Sequence, residues 1–549
     1  MPDPHHPALP VLHRDLRAGR LDRREFLTRA TCLGLAAPLA LGLAGGPAPA
    51  RAQPQILPGG TLRIQQSVKD LRDPRLYDWS EKANQTRGFL EYLVQLNHDG
   101  TLQGMLLESW QANADATGYV LRLRPGVTWT NGDAFTTEDV AHNFARWCDS
   151  EVQGNSMVTR LTTLIDPVTG QLRANALRIE DALTLHLTLA SPDIALMASL
   201  SDYPAAVTHR SYGGQDPYGF GLGTGPYRPV DIQPGSHCVL ERDPDRAWWG
   251  TPIHGGPYVD RIEFRDFGTD PANWIAAAMA DEIDLLYETV GSFIELMDSI
   301  GWTRTATDSA ATMVIRGNAT AQVAGGTPYA DSNLRHALAL AVDNAICLEL
   351  GYAGFGEVAA NHHVSPLHPA YADIGPARHD PAEARRLLAL AGQSDFEHEL
   401  ITVDDEWQRN TGDAVAALLR DAGIATRRRI VPGQDFWDNW QSYPFSCTQW
   451  NHRPLDVQVL SLAYRSDAVW NETGFADPAF DAALDRAMAV SDAQERRVIM
   501  AELETILRTQ SVIIQPYWRS LYNHHNGRLA GAERHPANEI HVCEIGFTA

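Results

Sequence analysis

One segment limits the fold more than any other. Glu399-Leu400-Ile401-Thr402-Val403 is an apolar run of strand length, Ala414, Val415, Leu418 and Leu419 mark one face of a helix, Gly423 ends it, and Arg428 to Val431 supplies a second strand. Strands joined in this way pair side by side and in the same direction, because a parallel pair needs a crossover long enough to carry the chain back to its starting edge. An α/β architecture follows. Strict alternation of Leu183, Leu185, Leu187 and Leu189 predicts a half-buried strand over Ala182 to Ala190. Gly60 to Ser67, Tyr119 to Leu123, Arg261 to Phe267 and Met313 to Gly317 are further strands on the same reasoning.

Helices are marked by their ends. Asp380-Pro381 sets a cap and a first-turn proline before Ala384, Leu387, Leu388 and Ala391, and Gly392 stops the run. Asp477-Pro478 repeats the device ahead of Phe480, Leu484 and Ala487. Thr136 with Asp139, and Ser491 with Gln494, are spaced as capping boxes, the second before Ile499, Leu503, Ile506 and Leu507. No fixed-period repeat and no long linker interrupts the chain, so its 549 residues divide into lobes whose boundary composition does not mark.

The first 52 residues stand apart. A basic leader reaches Asp22-Arg23-Arg24-Glu25-Phe26-Leu27-Thr28, an apolar stretch with Gly34, Pro38 and Gly42 follows, and Ala50-Arg51-Ala52 supplies a small-x-small cleavage pattern before Gln53. This resembles a twin-arginine export signal; Asp22 and Thr28 depart from the usual pattern and leave the twin-arginine and general export machineries both open. The residues before Cys32 do not resemble a lipoprotein box. Without the leader's seven Arg and four acids, the remainder keeps 38 basic and 64 acidic side chains, near −26 against −23 for the whole. So acidic a chain argues against nucleic acid as a partner, since phosphate-backbone binding needs an excess of Lys and Arg.

Four stretches in order resemble bacterial extracellular solute-binding protein family 5, the peptide, dipeptide and nickel-type receptors of ABC importers. They are Leu121-Arg122-Leu123-Arg124-Pro125-Gly126-Val127-Thr128-Trp129 running on through Asp133 to Phe144; Gly223-Thr224-Gly225-Pro226-Tyr227; Asn333-Leu334-Arg335-His336-Ala337-Leu338 to Asp343; and Asn471, Asp477-Pro478-Ala479-Phe480-Asp481, Arg496-Arg497 and Pro516-Tyr517-Trp518. The resemblance implies an α/β, two-lobe periplasmic binding protein fold of type II, in the large cluster that carries an extra β-rich subdomain in the N-terminal lobe. It implies an N-terminal lobe over 53–310 with that subdomain around 95–205, a second lobe over 311–514, and a segment 515–549 returning to the first lobe. Ligand would sit in the cleft, and closure about the hinge would be the working motion. The implied partners are a small-molecule or peptide-like, or carboxylate-bearing, ligand and an inner-membrane ABC permease. A periplasmic monomer is expected, with no cofactor, no metal and no enzymatic activity.

The resemblance also points to site residues. Peptide-binding relatives place an aspartate after a strand ending in tryptophan, to pair with the ligand's α-amino group; the corresponding run here is Thr448 to Asp456, with Arg453 near the acid's position and Asp456 reached by a small shift. If Arg453 faces the cleft, its planar fork favours a carboxylate or phosphate. A structural arginine tied to one of the many acids is the competing reading. Trp450 and Asn451 share that run, and Trp470, Asn471 and Glu472 lie in a loop of the same lobe. From the first lobe come Tyr287 and Glu288 at a strand end, and Gln66 and Tyr77 after the first strand.

Other chemistries find little support. The five cysteines after the leader are widely spaced, with no C-x-x-C. His362-His363 and His524-His525 are adjacent pairs, and neighbours on a strand or helix rarely supply two ligands to one ion. Arg427-Arg428-Arg429 and Asp404-Asp405-Glu406 read as solvated faces and helix starts. H-E-x-x-H, G-x-S-x-G and P-loop motifs are absent. An exported peptide-processing hydrolase or a ligand-sensing receptor on the same fold are the alternatives.

Overall fold

The computed structural model of the chain describes residues 8–35, 37–44 and 55–549. One large mixed sheet runs through the molecule. At one end Thr61–Gln65 lies parallel to both Arg261–Arg265 and Leu285–Thr289, and the sheet continues into His237–Arg242 and Tyr227–Gln233. At the other end His398–Val403 pairs in parallel with Thr426–Val431, the crossover helix being Glu406–Asp421, and with Phe445–Trp450. This is the βαβ unit the sequence predicts.

Two strands join the ends. Thr303–Gly317 is antiparallel to Tyr517–His525; the first runs from the first-lobe strands towards the second-lobe strands, and the second runs back. Their register shifts between Asp308 and Thr312. That irregularity, midway along the two strands, leaves the ladder interrupted where the sheet passes from one end to the other. The predicted strand Met313–Gly317 is the buried end of this 15-residue strand. Its first half carries exposed and half-buried polar side chains from Thr303 to Asp308, so hydrophobic alternation does not reveal it.

A four-stranded antiparallel sheet of Leu107–Ala112, Gly118–Leu123, Thr184–Thr188 and Leu177–Ile179 forms a β-rich subdomain on the first lobe. The helix Thr137–Trp147 beside it has the predicted capping box: Thr136 and Asp139 each serve the other's backbone. Asp380 and Asp477 cap their helices as expected. The last long helix, Ala493–Thr509, differs by one position: Asp492, not Ser491, is the cap and accepts from Glu495 N, so the helix starts one residue later than the Ser491–Gln494 spacing sets it.

The Gly223 to Tyr227 motif has a steric cause. A Cβ on Gly223 would stand 2.0 Å from the Phe89 carbonyl oxygen, and one on Gly225 2.5 Å from that of Gly88. Backbone therefore packs on backbone, which only glycine allows. Gly225→Ala is expected to lose about 1–3 kcal/mol of stability, read as a lower urea midpoint at unchanged slope.

All six cysteines are buried thiols with no disulfide. No helix among the described residues is long and apolar enough to cross a membrane. The leader forms helices Leu9–Arg17, Arg23–Cys32 and Ala37–Leu43, packed on the body; the expected cleavage site at Ala50-Arg51-Ala52 lies outside the described residues.

Candidate functional site

The lobes meet around a cavity of about 810 Å³. A smaller chamber of about 30 Å³ continues from it, sharing Asp78, Trp79, Trp437, Trp440, Gln449 and Trp470 as common wall. Around the main cavity stand six tryptophans, eight carboxylates and three cationic side chains. The mixture of flat apolar rings with many polar and charged groups, the charged ones mostly acidic, suits a small polar organic ligand.

Five of the ten residues expected from sequence reach the main cavity: Gln66, Tyr77, Tyr287, Glu288 and Trp470. Gln66 is buried; its Nε2 donates to the Glu81 carbonyl at 3.3 Å and its Oε1 has no partner. The Tyr287 hydroxyl is held between Ser80 Oγ at 2.9 Å and the Asn538 carbonyl at 3.2 Å. Glu288 is paired with two arginines, Arg519 at 2.6 Å and Arg534 at 3.3 Å. Burial raises the Tyr77 hydroxyl well above its ordinary range.

Trp450, Asn451 and Arg453 line only the smaller chamber. Here the structure corrects the expectation that Arg453 offers a free fork to an acidic ligand. Its Nε lies 3.0 Å from Asp202 Oδ2, its Nη2 donates to the Tyr203 hydroxyl at 3.1 Å, and its Nη1 donates to the carbonyls of Asn451 and His452. Asp202 follows the strands of the β-rich subdomain in the chain and also takes Arg160 at 2.6 Å. Burial alone would raise the Asp202 carboxyl, but Arg160 and Arg453 outweigh it and hold it below the ordinary value. Arg453 is thus one half of a bridge between lobes, beside the stacked rings of Tyr203 and Trp470 at 6.1 Å.

Asn471 and Glu472 reach neither chamber. Asn471 donates to the carbonyls of Arg465 and Phe475 and accepts from Thr473, which shapes its own loop. Glu472 is buried and accepts from Trp450 Nε1 at 2.7 Å, Thr448 Oγ1 at 2.6 Å and Arg316 Nε at 2.9 Å. A loop next to a helix cap is a fair address for a ligand contact, but the buried Arg316 guanidinium claims the carboxylate.

Two carboxylates that sequence reasoning passes over face the main cavity from opposite lobes. Glu81 sits on the helix Ser80–Thr86, with no ion pair among the described residues and one carboxylate oxygen unpartnered. Asp405 occupies the cap position of Glu406–Asp421 yet caps no backbone amide; Gln408 Nε2 donates to it at 3.0 Å. Burial raises the Glu81 carboxyl, and burial pushes that of Asp405 up to about 6 with help from Glu288. The other acids nearby are largely spoken for, as Asp78 is by Lys82 at 2.9 Å and Asp70 by Arg72 at 3.4 Å. Asp404-Asp405-Glu406 is therefore more than a solvated helix start.

The histidine pairs do not gather a metal-like set. His363 binds the Tyr464 hydroxyl, and His524 lies between Thr289 and Asp298. Among the described residues His535, Glu539 and His541 bring ligand-type atoms within 4.8 Å of one another. The His535 ring is already engaged, by the Leu96 carbonyl at 3.0 Å and the Ala537 amide at 3.1 Å.

Residues 101–472 match the profile of bacterial extracellular solute-binding proteins, family 5. The chain belongs to this family. Among curated relatives of this family 5 protein, the dipeptide-binding protein DppE of Bacillus subtilis is 21% identical over 480 residues, covering 82% of this chain and 85% of that one. Among solved structures, the periplasmic binding protein DppA of Helicobacter pylori, in complex with a peptide, superposes with a TM-score of 0.78 at 18% identity, over 90% of this chain and 99% of that one. The Escherichia coli murein tripeptide binding protein MppA gives 0.78 at 17%, over 90% and 99%. The fold is the two-lobe type II binding-protein fold, and family 5 proteins are the substrate-binding components of ABC importers.

Proposed function

We propose that this family 5 protein captures a peptide-like solute bearing a cationic group and hands it to an inner-membrane ABC permease. The observation that carries the reading is the pair of uncompensated carboxylates, Glu81 from one lobe and Asp405 from the other, facing one tryptophan-rich cavity. A ligand amine or guanidinium between them attracts both lobes at once, and that differential gain is what shifts an open receptor to its closed form. Peptide ligands of the related DppA and MppA are consistent with the size of the space. The arginine expected to select a carboxylate is already paired with Asp202, which it shares with Arg160. The leader supports export to the periplasm through the twin-arginine or general route, with action there as a monomer.

A thermal-shift panel tests the ligand class. Lys- or Arg-containing di- and tripeptides and polyamines are expected to raise the melting temperature by mass action, while acidic peptides of equal length do not. A uniform response, or a preference for acidic peptides, defeats the reading. Affinity should also depend on pH. A cation binds the ionised carboxylates, so binding is at full strength above the raised values and weakens as pH falls through about 6, by up to about tenfold per unit for each carboxylate protonated. Calorimetry on either side of that value checks it.

A further inference from the structure

The leader is not merely appended to the folded chain. Its helix Arg23–Cys32 buries eight residues; Phe26, Leu27 and Ala30 pack among the leader's own helices, while Cys32 joins the main hydrophobic core of the body. Towards the β-rich subdomain, Thr28 Oγ1 donates to the Gly100 carbonyl at 3.1 Å, Leu102 N donates to Thr31 Oγ1 at 3.0 Å, and Trp110 Nε1 donates to the Cys32 carbonyl at 3.2 Å. Towards the second lobe, Arg29 Nη2 donates to the Pro369 carbonyl at 2.6 Å, Arg497 Nη2 donates to Glu25 at 3.2 Å, and Gln494 Nε2 donates to the Arg20 carbonyl at 3.0 Å. Gly34 continues the fit, since a Cβ there would meet the Trp110 carbonyl oxygen at 2.4 Å.

A signal read only by export machinery needs an apolar stretch and a charge pattern; it has no need of polar partners on its own body. Here three such contacts fall on each side of one seam. The buried Arg29 guanidinium is paired through Nη2, with Glu25 within the helix and with the Pro369 carbonyl on the body, while its Nε keeps no partner. Arg24 of the twin pair is desolvated in the same contact, beside Gly100.

We propose that the folded chain binds its own leader as an intramolecular ligand, in a groove across the seam between the β-rich subdomain and the second lobe, and that the docked leader ties the two together until it is cut away. While tethered, the segment has a high effective concentration at the groove; cleavage makes its binding bimolecular and lets dilution remove it. That the segment is removable rests on the export reading above, whereas the docking does not, and neither depends on which solute the cleft takes.

The test uses the full-length chain with a specific protease site placed within 45–50. Before cutting, hydrogen exchange of the amides from Phe26 to Leu33 is expected to be at least about 100-fold slower than in the isolated leader peptide. After cutting, native mass spectrometry at micromolar concentration should find leader and body together, and releasing the leader should enlarge the radius of gyration by small-angle scattering. Arg29→Gln with Thr31→Val, made in the leader alone, should weaken retention at least about tenfold. Exchange as fast as in the free peptide, or retention unchanged in the double variant, overturns the groove; a retained leader whose release leaves the scattering unchanged overturns the tie between lobes. Peptide binding in the cleft is scored separately by thermal shift, so a failure there is not read as a failure here.

Discussion

Asp202→Ala is expected to destabilise the protein by about 3–5 kcal/mol and to let the lobes part. Asp202 is the shared anion of two buried guanidiniums, with side-chain exposures of 7% for the acid, 1% for Arg160 and 4% for Arg453. Removing it strands two like charges in a region with little water, and the rings nearby compensate only in part: Arg160 lies 4.5 Å from the centroid of Trp470 and Arg453 5.1 Å from that of Tyr203. Arg453→Ala should cost less, because Asp202 then keeps Arg160, which reaches it through both Nε at 2.8 Å and Nη2 at 2.6 Å. The order of the two losses is the test. Urea unfolding in which Arg453→Ala equals or exceeds Asp202→Ala would show that the bridge is not built around the aspartate, and unchanged scattering for Asp202→Ala would show that it does not hold the lobes.

Glu81→Gln together with Asp405→Asn should abolish most of the selectivity for cationic solutes. Each exchange keeps the side-chain shape and removes one charge, so the fold is retained and the loss is electrostatic. About tenfold in affinity is expected from each, and about 100-fold from the pair where both carboxylates face the same cation. Isothermal titration with the best basic peptide of the panel supplies the measurement. Because the groups whose carboxyls are raised by burial are then gone, the weakening below about pH 6 should flatten in the same variant. Equal affinities for variant and parent would remove both carboxylates from the site. Improved melting of the unliganded variant is compatible with the proposal, since two desolvated charges leave the cavity wall.

How far the sequence carried the site is instructive residue by residue. Gln66 and Tyr77 follow the strand Thr61–Gln65, Tyr287 and Glu288 lie in the neighbouring strand Leu285–Thr289, and all four line the cleft. Asn471 and Glu472 have equally favourable positions in the chain but look inward, because Glu472 neutralises Arg316, a residue 156 positions away in the chain that lies on the strand paired with Phe445–Trp450. Asp405 shows the reverse. Its place before a helix invites a capping role, but its carboxylate takes the Gln408 side chain and none of the helix's backbone amides, and it faces the cavity.

Local physics was legible throughout. Capping aspartates, the glycines of Gly223 to Tyr227 and the βαβ crossover act over a few residues or one supersecondary unit, so the linear order of side chains is enough to specify them. The amino-acid sequence alone therefore determined an α/β chain with an export-like leader and the two-lobe family fold. Tertiary structure alone decided where the charges ended up. Arg453 meets Asp202, Asp405 faces a cavity without capping its helix, and the leader's Arg29 meets the Pro369 carbonyl, all through neighbours that linear order does not supply. The reason is energetic: burying a charge without a counter-charge costs so much that the partner available in space, and not the neighbour in sequence, fixes each ionised side chain's role.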